Sequence, residues 1–340
     1  MSGITNPQEH STTAPPQTRS DWNHHPSLPI HIAPYFNWPP APVRTMAWLA
    51  RAWFPLTERL VILVIALVTW FYLTPALERA REFSVGWIAE VYLRNLGLMI
   101  VVAGGLHLYL YTFSKQDKKL KYDHRELARN NRTFSFRDQV LDNMFWTLAS
   151  GVTVWTAYEV LLLWGYANGY VAALAWSDNP VWFVVLFALL PFWQAFSFYW
   201  IHRLLHWPPL YRLAHAVHHR NSNIGPWSGN SMHPVEHLLW LSSVLVHWVV
   251  ASHPVHIFFY QQMQVLSAVT SHAGFERLLV KNKNGFALGE FFHQLHHRYH
   301  ECNYGSSETH WDRLFGTFHD GSQQATDEVR QRRRTMHGAT

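Results

Sequence analysis

Four long apolar stretches dominate the hydrophobic pattern of this chain. They cover residues 56–77, 88–113, 141–166 and 181–201, and each is close to the ~20 residues that a helix needs to cross a bilayer core. The pattern therefore predicts four transmembrane helices. Within them Arg94, His107 and Glu159 are polar, and we expect these side chains to pair with neighbouring helices rather than to react.

A broken apolar stretch follows later in the chain. Residues 238–251 and 255–269 are apolar but are separated by Ser252, His253 and Pro254. Each half is shorter than a full span, so we expect a helical hairpin that enters the membrane partway or packs over a site as a cap. Such a hairpin would return His272 to the side on which it began.

The composition agrees with a membrane protein, since 49% of the 340 residues are hydrophobic and only 14% are charged. Residues 1–45 are rich in Pro, Ser, Thr, Gln and His and lack the apolar core of a secretory signal, so we expect a disordered or surface-bound tail. Aromatic residues between positions 34 and 55 suit the headgroup level. The single cysteine, Cys302, excludes an internal disulfide, and we expect a buried thiol rather than a ligand.

The charge pattern predicts an orientation. Eight Lys and Arg residues lie between positions 115 and 137, whereas the segment 167–180 has none. By the positive-inside rule the first segment is cytoplasmic and the second lies outside, which places the N-terminus and everything after His202 on the cytoplasmic side. This topology signal explains the net charge of +5, so no nucleic-acid partner is expected.

Clustered histidines are the candidate chemistry. Of the 24 histidines, nine fall into three short clusters, and positions i, i+3 and i+4 share one face of a helix. Imidazole is a common ligand for zinc, copper, iron and nickel. One ion needs about four ligands, so the sequence predicts two metals rather than a solvated polar helix end. The clusters are His202 and His206, then His215, His218 and His219, then His293, His296, His297 and His300.

Other classes of protein remain open at this stage. His233, Glu236 and His237 have the order of an inverted zinc-peptidase motif, but Pro234 suits a helix start, and we favour Glu236 as a residue that orients a ligand histidine. A membrane haem protein would place paired histidines within facing helices, not in clusters. A non-catalytic metal-binding or transport protein would also use a His-rich face.

The combined motifs resemble the fatty acid hydroxylase superfamily, in particular its sterol desaturase branch. The resemblance rests on the three clusters, on His233-Pro-Val-Glu236, and on the closing segments Asn303-Tyr304-Gly305 and 311–317. It covers about residues 180–320. Ala268 stands four residues before His272, where other members carry a further histidine. The resemblance implies metal ligands at His202, His206, His215, His218, His219, His272, His293, His296 and His297.

The resemblance also implies a membrane-bound non-haem di-iron oxygenase that hydroxylates or desaturates a sterol, an acyl chain or a related lipid. It would hold two iron ions, take O2 as co-substrate, and receive electrons from a separate ferredoxin or cytochrome, because the chain has no Rossmann or flavin fingerprint. We expect Glu236 and Asp312 to support catalysis by fixing imidazole tautomers. The hypothetical docking surface for the carrier is the basic loop with Lys118, Lys119 and Lys121.

The expected architecture is all-α, an integral membrane helical bundle of about four transmembrane helices plus a membrane-associated hairpin, with a cytoplasmic His-rich di-metal helical cap. Its predicted regions are a Pro-rich tail and interfacial segment (1–55), N-terminal transmembrane helices with the basic loop (56–166), a catalytic domain (180–320) and a polar tail (321–340).

Overall fold

The structure, a computed structural model, describes residues 22–36, 38–53, 57–306 and 308–338. Residues 1–21 of the predicted N-terminal tail therefore lie outside the described residues. Helices make up almost all of the regular structure within these ranges, as the apolar pattern predicted. In chain order they are α1 (Pro42–Trp53), α2 (Glu58–Tyr72), α3 (Val85–Thr112), α4 (Gln139–Ala167), α5 (Pro180–Leu205), α6 (Pro208–Leu210), α7 (Ala216–His219), α8 (Pro234–Leu241), α9 (Pro254–Ser271), α10 (Phe291–Tyr299), α11 (Trp311–Leu314) and α12 (Gln323–Gly338).

Shorter elements complete the fold. Strands β1 (Arg277–Val280) and β2 (Lys283–Ala287) form an antiparallel pair between α9 and α10. The 3-10 segments are Pro34–Phe36, Leu77–Arg81, Pro226–Asn230 and Ser242–Trp248. Turns of π-helix occur within α3 at Ile100–Gly104 and Leu108–Thr112, within α4 at Thr147–Gly151, and between α6 and α7 at Tyr211–His215.

Three helices in the described part of the chain are long and apolar enough to cross a membrane, namely α3, α4 and α5 with 28, 29 and 26 residues. They match the last three predicted spans. The first predicted span, residues 56–77, is wrong in length, because α2 has 15 residues and is therefore only about 22 Å long. Thr57 caps its start, with its side chain accepting from Leu60 N, and Pro75 prevents its continuation.

Arg94 and Glu159 pair across neighbouring helices, as expected, whereas His107 contacts a residue of its own helix. Arg94 of α3 forms an ion pair with Glu159 of α4, and both side chains are buried. The side chain of Asn95 donates to Glu159 at 3.1 Å, while the ring of His107 stacks on Tyr111. A buried charge is tolerated when it is paired and hydrogen-bonded, so Arg94 and Glu159 hold α3 to α4.

Helix α9 lies at the centre of the bundle, with every residue buried except Ser267 and Ser271. It begins at the N-cap His253 and Pro254, and it packs against α2, α4 and α5. Its polar side chains are bonded inside the bundle, for example Gln262 to Thr69 at 2.9 Å. The expected partial hairpin is therefore wrong: α9 is a core helix, not a cap.

The segment between α8 and α9 extends further across the bundle than predicted. Ser252 exchanges backbone hydrogen bonds with Ala172 and Leu174, at 3.1 and 3.0 Å, in the loop between α4 and α5. The 3-10 segment Ser242–Trp248 contributes to this reach, because a 3-10 helix rises about 2.0 Å per residue against 1.5 Å in an α-helix. The break at 252–254 thus lies beside the loop between α4 and α5, at the far ends of these spans. From there α9 runs back, so His272 lies on the side where the segment began, as expected.

Candidate metal centre

Nine histidine side chains converge in two groups at the end of the bundle where α5 and α9 stop. Within each group one nitrogen from every imidazole lies within 4.8 Å of the others. The nine are the histidines that the sequence predicted as ligands. The first group is His202, His206, His215, His219 and His296, and the second is His218, His272, His293 and His297.

Five elements deliver these side chains. The end of α5 carries His202 and presents its C-cap residue, His206, one helical turn later. The π turn and α7 carry the middle cluster, α10 carries the last cluster, and His272 is the C-cap of α9. Consecutive residues on a helix are about 100° apart, which explains why neighbours such as His296 and His297 enter different groups.

Hydrogen bonds to the outer ring nitrogens determine the tautomers. Nδ1 of His202 lies 2.6 Å from the Tyr304 carbonyl, Nδ1 of His296 lies 2.6 Å from the Cys302 carbonyl, and Nδ1 of His272 lies 2.8 Å from the Ala268 carbonyl. A carbonyl oxygen only accepts, so each Nδ1 must carry the proton. The Nε2 atoms of these neutral rings then present lone pairs to the centre of the groups.

The spacing of the Nε2 atoms fits a bound cation. Nε2 of His202 and Nε2 of His215 are 3.1 Å apart, and both rings use Nδ1 as the donor, His215 toward Glu236. Two unprotonated nitrogens cannot hydrogen-bond to each other. Ligands about 2.1 Å from one ion and at right angles are about 3.0 Å apart, close to the 3.0–3.2 Å between neighbouring Nε2 atoms in both groups.

Burial keeps these imidazoles neutral. It lowers the pKa of His215, His219 and His297 well below the ordinary value, and neighbouring imidazoles lower it further. Burial likewise lowers the pKa of His272 to about 3. Neutral imidazole is the metal-binding form, so the nine residues are able to hold two metal ions without first losing protons at neutral pH.

The two predicted carboxylates act at different distances from the rings. Glu236 Oε1 accepts from His215 Nδ1 at 2.6 Å, which is the orienting contact that the sequence suggested. Asp312 contacts none of the nine rings in the described hydrogen-bond network. It accepts from the backbone N–H groups of Tyr304 and Gly305 at 2.8 and 2.7 Å, and so holds the carbonyl that fixes His202.

The remaining candidates lie outside both groups. His233 is the N-cap of α8, where its side chain accepts from Val235 N, and His237 Nδ1 bonds Ser150. The order H-x-x-E-H thus marks a helix start, as Pro234 suggested. His300 contacts Tyr211 at 3.2 Å, and the Cys302 thiol is buried against the Leu295 carbonyl.

The sequence analysis did not identify several groups that contact the histidine rings. The carbonyl groups of Ala268, Cys302 and Tyr304 fix three imidazoles, but backbone acceptors carry no signature in a sequence. The segment 303–305 did signal a role through the family resemblance. Tyr211, whose ring lies 5.6 Å from that of His206, could have been suspected only from its place between two clusters.

A cavity of about 450 Å³ adjoins both groups. Its walls near the rings are mainly apolar and come from α5, α8 and α9. His202, His215, His218, His272 and His293 line one side, and Pro191, Ala195, Phe198, Ile201, Leu205, Met232, Trp240 and Met263 are among the apolar residues of the others. A polar edge is formed by Glu58, Thr270 and the ion pair of Arg59 with Glu308. The volume is in the range of small-molecule sites.

Comparison with known proteins points to one family. Residues 185–317 match the fatty acid hydroxylase model. The chain is 31% identical to methylsterol monooxygenase 1 of Gallus gallus over 42% of this chain and 49% of the relative. It is 26% identical to the Delta(7)-sterol 5(6)-desaturase of Saccharomyces cerevisiae over 72% and 63%, and 26% identical to lathosterol oxidase of Mus musculus over 75% and 84%.

No solved structure matches the chain. The matches to the first relatives span about half of those relatives' own length. The region matched by the family model contains Asp312 and all nine grouped histidines, which lie on or beside α5, α7 and α10 and at the end of α9. By its sequence match and its histidine motifs, the region of residues 185–317 is a fatty acid hydroxylase domain.

Proposed function

We propose that this protein is a membrane-bound, di-iron oxygenase that hydroxylates or desaturates a sterol or a related lipid. The observation that carries the proposal is the contact between the two histidine groups and a largely apolar cavity. Relatives named as methylsterol monooxygenase and sterol desaturase support a sterol or another lipid of similar bulk as the substrate class.

Iron suits the donor set better than zinc does. The first group offers five imidazoles, one more than a structural zinc site uses, and the near-right-angle spacing of the Nε2 atoms favours an ion of higher coordination number. When bound, two irons would supply the redox chemistry that acid–base side chains lack. The nine histidines of the two groups would hold them.

The residues of the chain position and protect this chemistry. Glu236 and the carbonyl groups of Tyr304, Cys302 and Ala268 keep Nδ1 protonated and orient the rings. Side chains such as Phe198, Met232 and Met263 line the cavity and would hold an apolar substrate while excluding water. Asp312 is a positioning residue, because it acts through the Tyr304 backbone rather than on a ring.

The overall reaction defines the partners. Hydroxylation of a C–H bond consumes O2, two electrons and two protons and yields an alcohol and water, whereas desaturation of a CH–CH unit uses the same input and yields an alkene and two waters. The electrons would come from a separate ferredoxin or cytochrome. The basic segment 115–137 follows α3, and the first histidine cluster lies at the end of α5. These two spans run in the same direction and end on one side, which we assign to the cytoplasm by the positive-inside rule.

The test is a turnover assay with the detergent-purified, iron-loaded protein. Sterols and long-chain lipids are incubated with ¹⁸O2, a reduced ferredoxin and its reductase, and products are analysed by mass spectrometry. The expected result is an alcohol carrying one ¹⁸O atom, or an alkene, which His296→Ala abolishes. Iron-loaded protein that consumes no O2 with any lipid, or that binds only zinc, would contradict the proposal.

A further inference from the structure

One edge of the first histidine group reaches the protein surface. His206 is partly exposed, whereas the other eight grouped histidines are buried. The ring of Tyr211 lies 5.6 Å from that of His206, and the ring of His300 lies 4.5 Å from that of His219. Tyr211 Oη and His300 Nδ1 are 3.2 Å apart, and both residues are partly exposed. This pair, the Tyr211–His300 edge, separates the group from solvent.

His300 has an unusual backbone conformation at this edge. Its φ is 65°, a positive value that only a few per cent of residues other than glycine adopt, although histidine is among the residues enriched there. The backbone N–H of His300 bonds to the His296 carbonyl at 2.7 Å, so α10 ends here and the chain turns back. Such conformations concentrate at functional sites, and here the turn places the His300 ring against His219.

Positive charge borders the edge. Helix α12 carries four arginines and two carboxylates, and Arg333 is exposed. The helix lies beside the end of α10, where the guanidinium of Arg330 is 5.9 Å from the centre of the Tyr299 ring. Burial, together with the positive charge of Arg333, lowers the pKa of His300 to about 4. Burial raises the pKa of Tyr211, while the positive charge of Arg333 lowers it and the negative charge of Glu301 raises it. Exposed Trp207 and Leu213 flank Tyr211 in the chain.

We propose that the Tyr211–His300 edge, bordered by Arg333, is the docking and electron-entry surface for a one-electron carrier with an acidic face. This inference rests on the proposed function. Each docking event oxidises the carrier by one electron and reduces the metal pair by one, so two events supply the two electrons of the reaction. Redox partners use small, transient interfaces and electrostatic steering, and a basic border beside an exposed route to the ligands suits both.

The basic loop is a weaker candidate for this role. Lys121 is 5% exposed, and its ammonium group donates to the Arg125 carbonyl. Lys118 lies 3.8 Å from Glu126, and Lys119 bonds Asn282, so local partners balance part of the charge of the loop. No ring of the two histidine groups contacts this loop in the described network of ring contacts.

The experiment compares single charge reversals on the two surfaces, Arg333→Glu and the matched Lys118→Glu. Reduction of the iron-loaded protein by an acidic [2Fe–2S] ferredoxin is followed by stopped-flow absorbance at low and high salt, with dithionite as a small reductant. Binding of the same ferredoxin to the metal-free protein is measured in parallel. The expected result for Arg333→Glu is at least about a three-fold fall in both ferredoxin rate and affinity at low salt, with dithionite reduction unchanged.

Each alternative outcome is decisive. A wild-type ferredoxin rate and affinity for Arg333→Glu, or an effect confined to Lys118→Glu, would overturn the inference. Loss of binding to phosphatidylglycerol vesicles, without loss of ferredoxin binding, would instead assign Arg333 to a lipid surface. Failure of dithionite to reduce the wild-type protein would count against the proposed function, while the metal-free binding assay would still test the docking surface. His300→Gln is expected to slow ferredoxin reduction and to leave ferredoxin binding intact.

Discussion

Glu236 accepts a hydrogen bond from Nδ1 of His215 at 2.6 Å, and both side chains are buried. This contact turns Nε2 of His215 toward the first histidine group and increases its basicity. The hydrogen bond joins α8 to the π turn before α7, and Glu236 and His215 are 21 positions apart in the sequence.

Replacement of Glu236 by Gln is expected to weaken metal binding to the first group by about 10- to 100-fold, the range found for partners of metal-ligating histidines. The amide still accepts from Nδ1 but has no charge. Metal affinity is measured by competition with a chelator, and Glu126→Gln, at an exposed side chain, serves as the control. Equal affinities in wild type and Glu236→Gln would show that the carboxylate has no such role.

The adjacent residues His296 and His297 should bind different metal ions. His296 belongs to the first group and His297 to the second, so His296→Ala and His297→Ala are each expected to retain about one metal per chain where the wild type holds two. Elemental analysis of purified protein provides the measurement, and exposed His25→Ala is the control. Two metals retained in both variants would exclude these groups as the binding sites.

Asp312 should affect stability and the first metal site through the backbone at Tyr304 and Gly305. Because Asp312 accepts from Tyr304 N, Gly305 N and the Thr317 hydroxyl, Asp312→Ala is expected to lower the thermal unfolding midpoint and to weaken the first metal site through His202. The second site should keep its affinity. Thr317→Ala removes one of the three bonds and should have a smaller effect; equal weakening of both sites would argue for a general loss of folding instead.

Filling the cavity should separate substrate binding from metal binding. Ala195 of α5 is buried and lines the cavity, so Ala195→Phe is expected to reduce lipid turnover at least about ten-fold through lost cavity volume while the metal content stays at the wild-type level. Val184→Phe, on an exposed position of the same helix, is the matched control. Undiminished turnover by Ala195→Phe would place the substrate elsewhere.

The stability of the metal-free protein should depend on pH. The pKa of His272 is about 3 in the folded protein and about 6.5 in an unfolded chain, so the unfolded state binds more protons as the pH falls below 6.5. Stability from this residue is complete above pH 6.5 and declines toward pH 3, by about 1.4 kcal/mol between pH 7.5 and 5.5. Thermal unfolding midpoints over this range provide the measurement, and a midpoint that is flat or rises on acidification would contradict the expectation. His272→Gln should show a shallower slope.

The apolar pattern was most informative for the three long helices. Helices α3, α4 and α5 are predominantly apolar over 26 to 29 residues, and a bilayer requires about 20 such residues whatever the neighbours are. The pattern failed for α9, because an apolar run of 255–269 looks the same whether it faces lipid or the interior of a bundle. Its glutamines are satisfied by partners such as Thr69, and no local rule identifies those partners.

The sequence by itself determined the membrane class, the predicted ligand types and the family, because apolar length and i, i+3, i+4 histidine spacing are local properties of a helix. Only the tertiary structure decided which histidines share a group, since His218 and His219 are adjacent in sequence yet lie on different faces. It also decided that carbonyl groups of Tyr304, Cys302 and Ala268 hold the rings, and that His300 covers His219. These relationships depend on the distances between helices that lie far apart in the chain, and hydrophobic packing of α9 against α2, α4 and α5 establishes those distances.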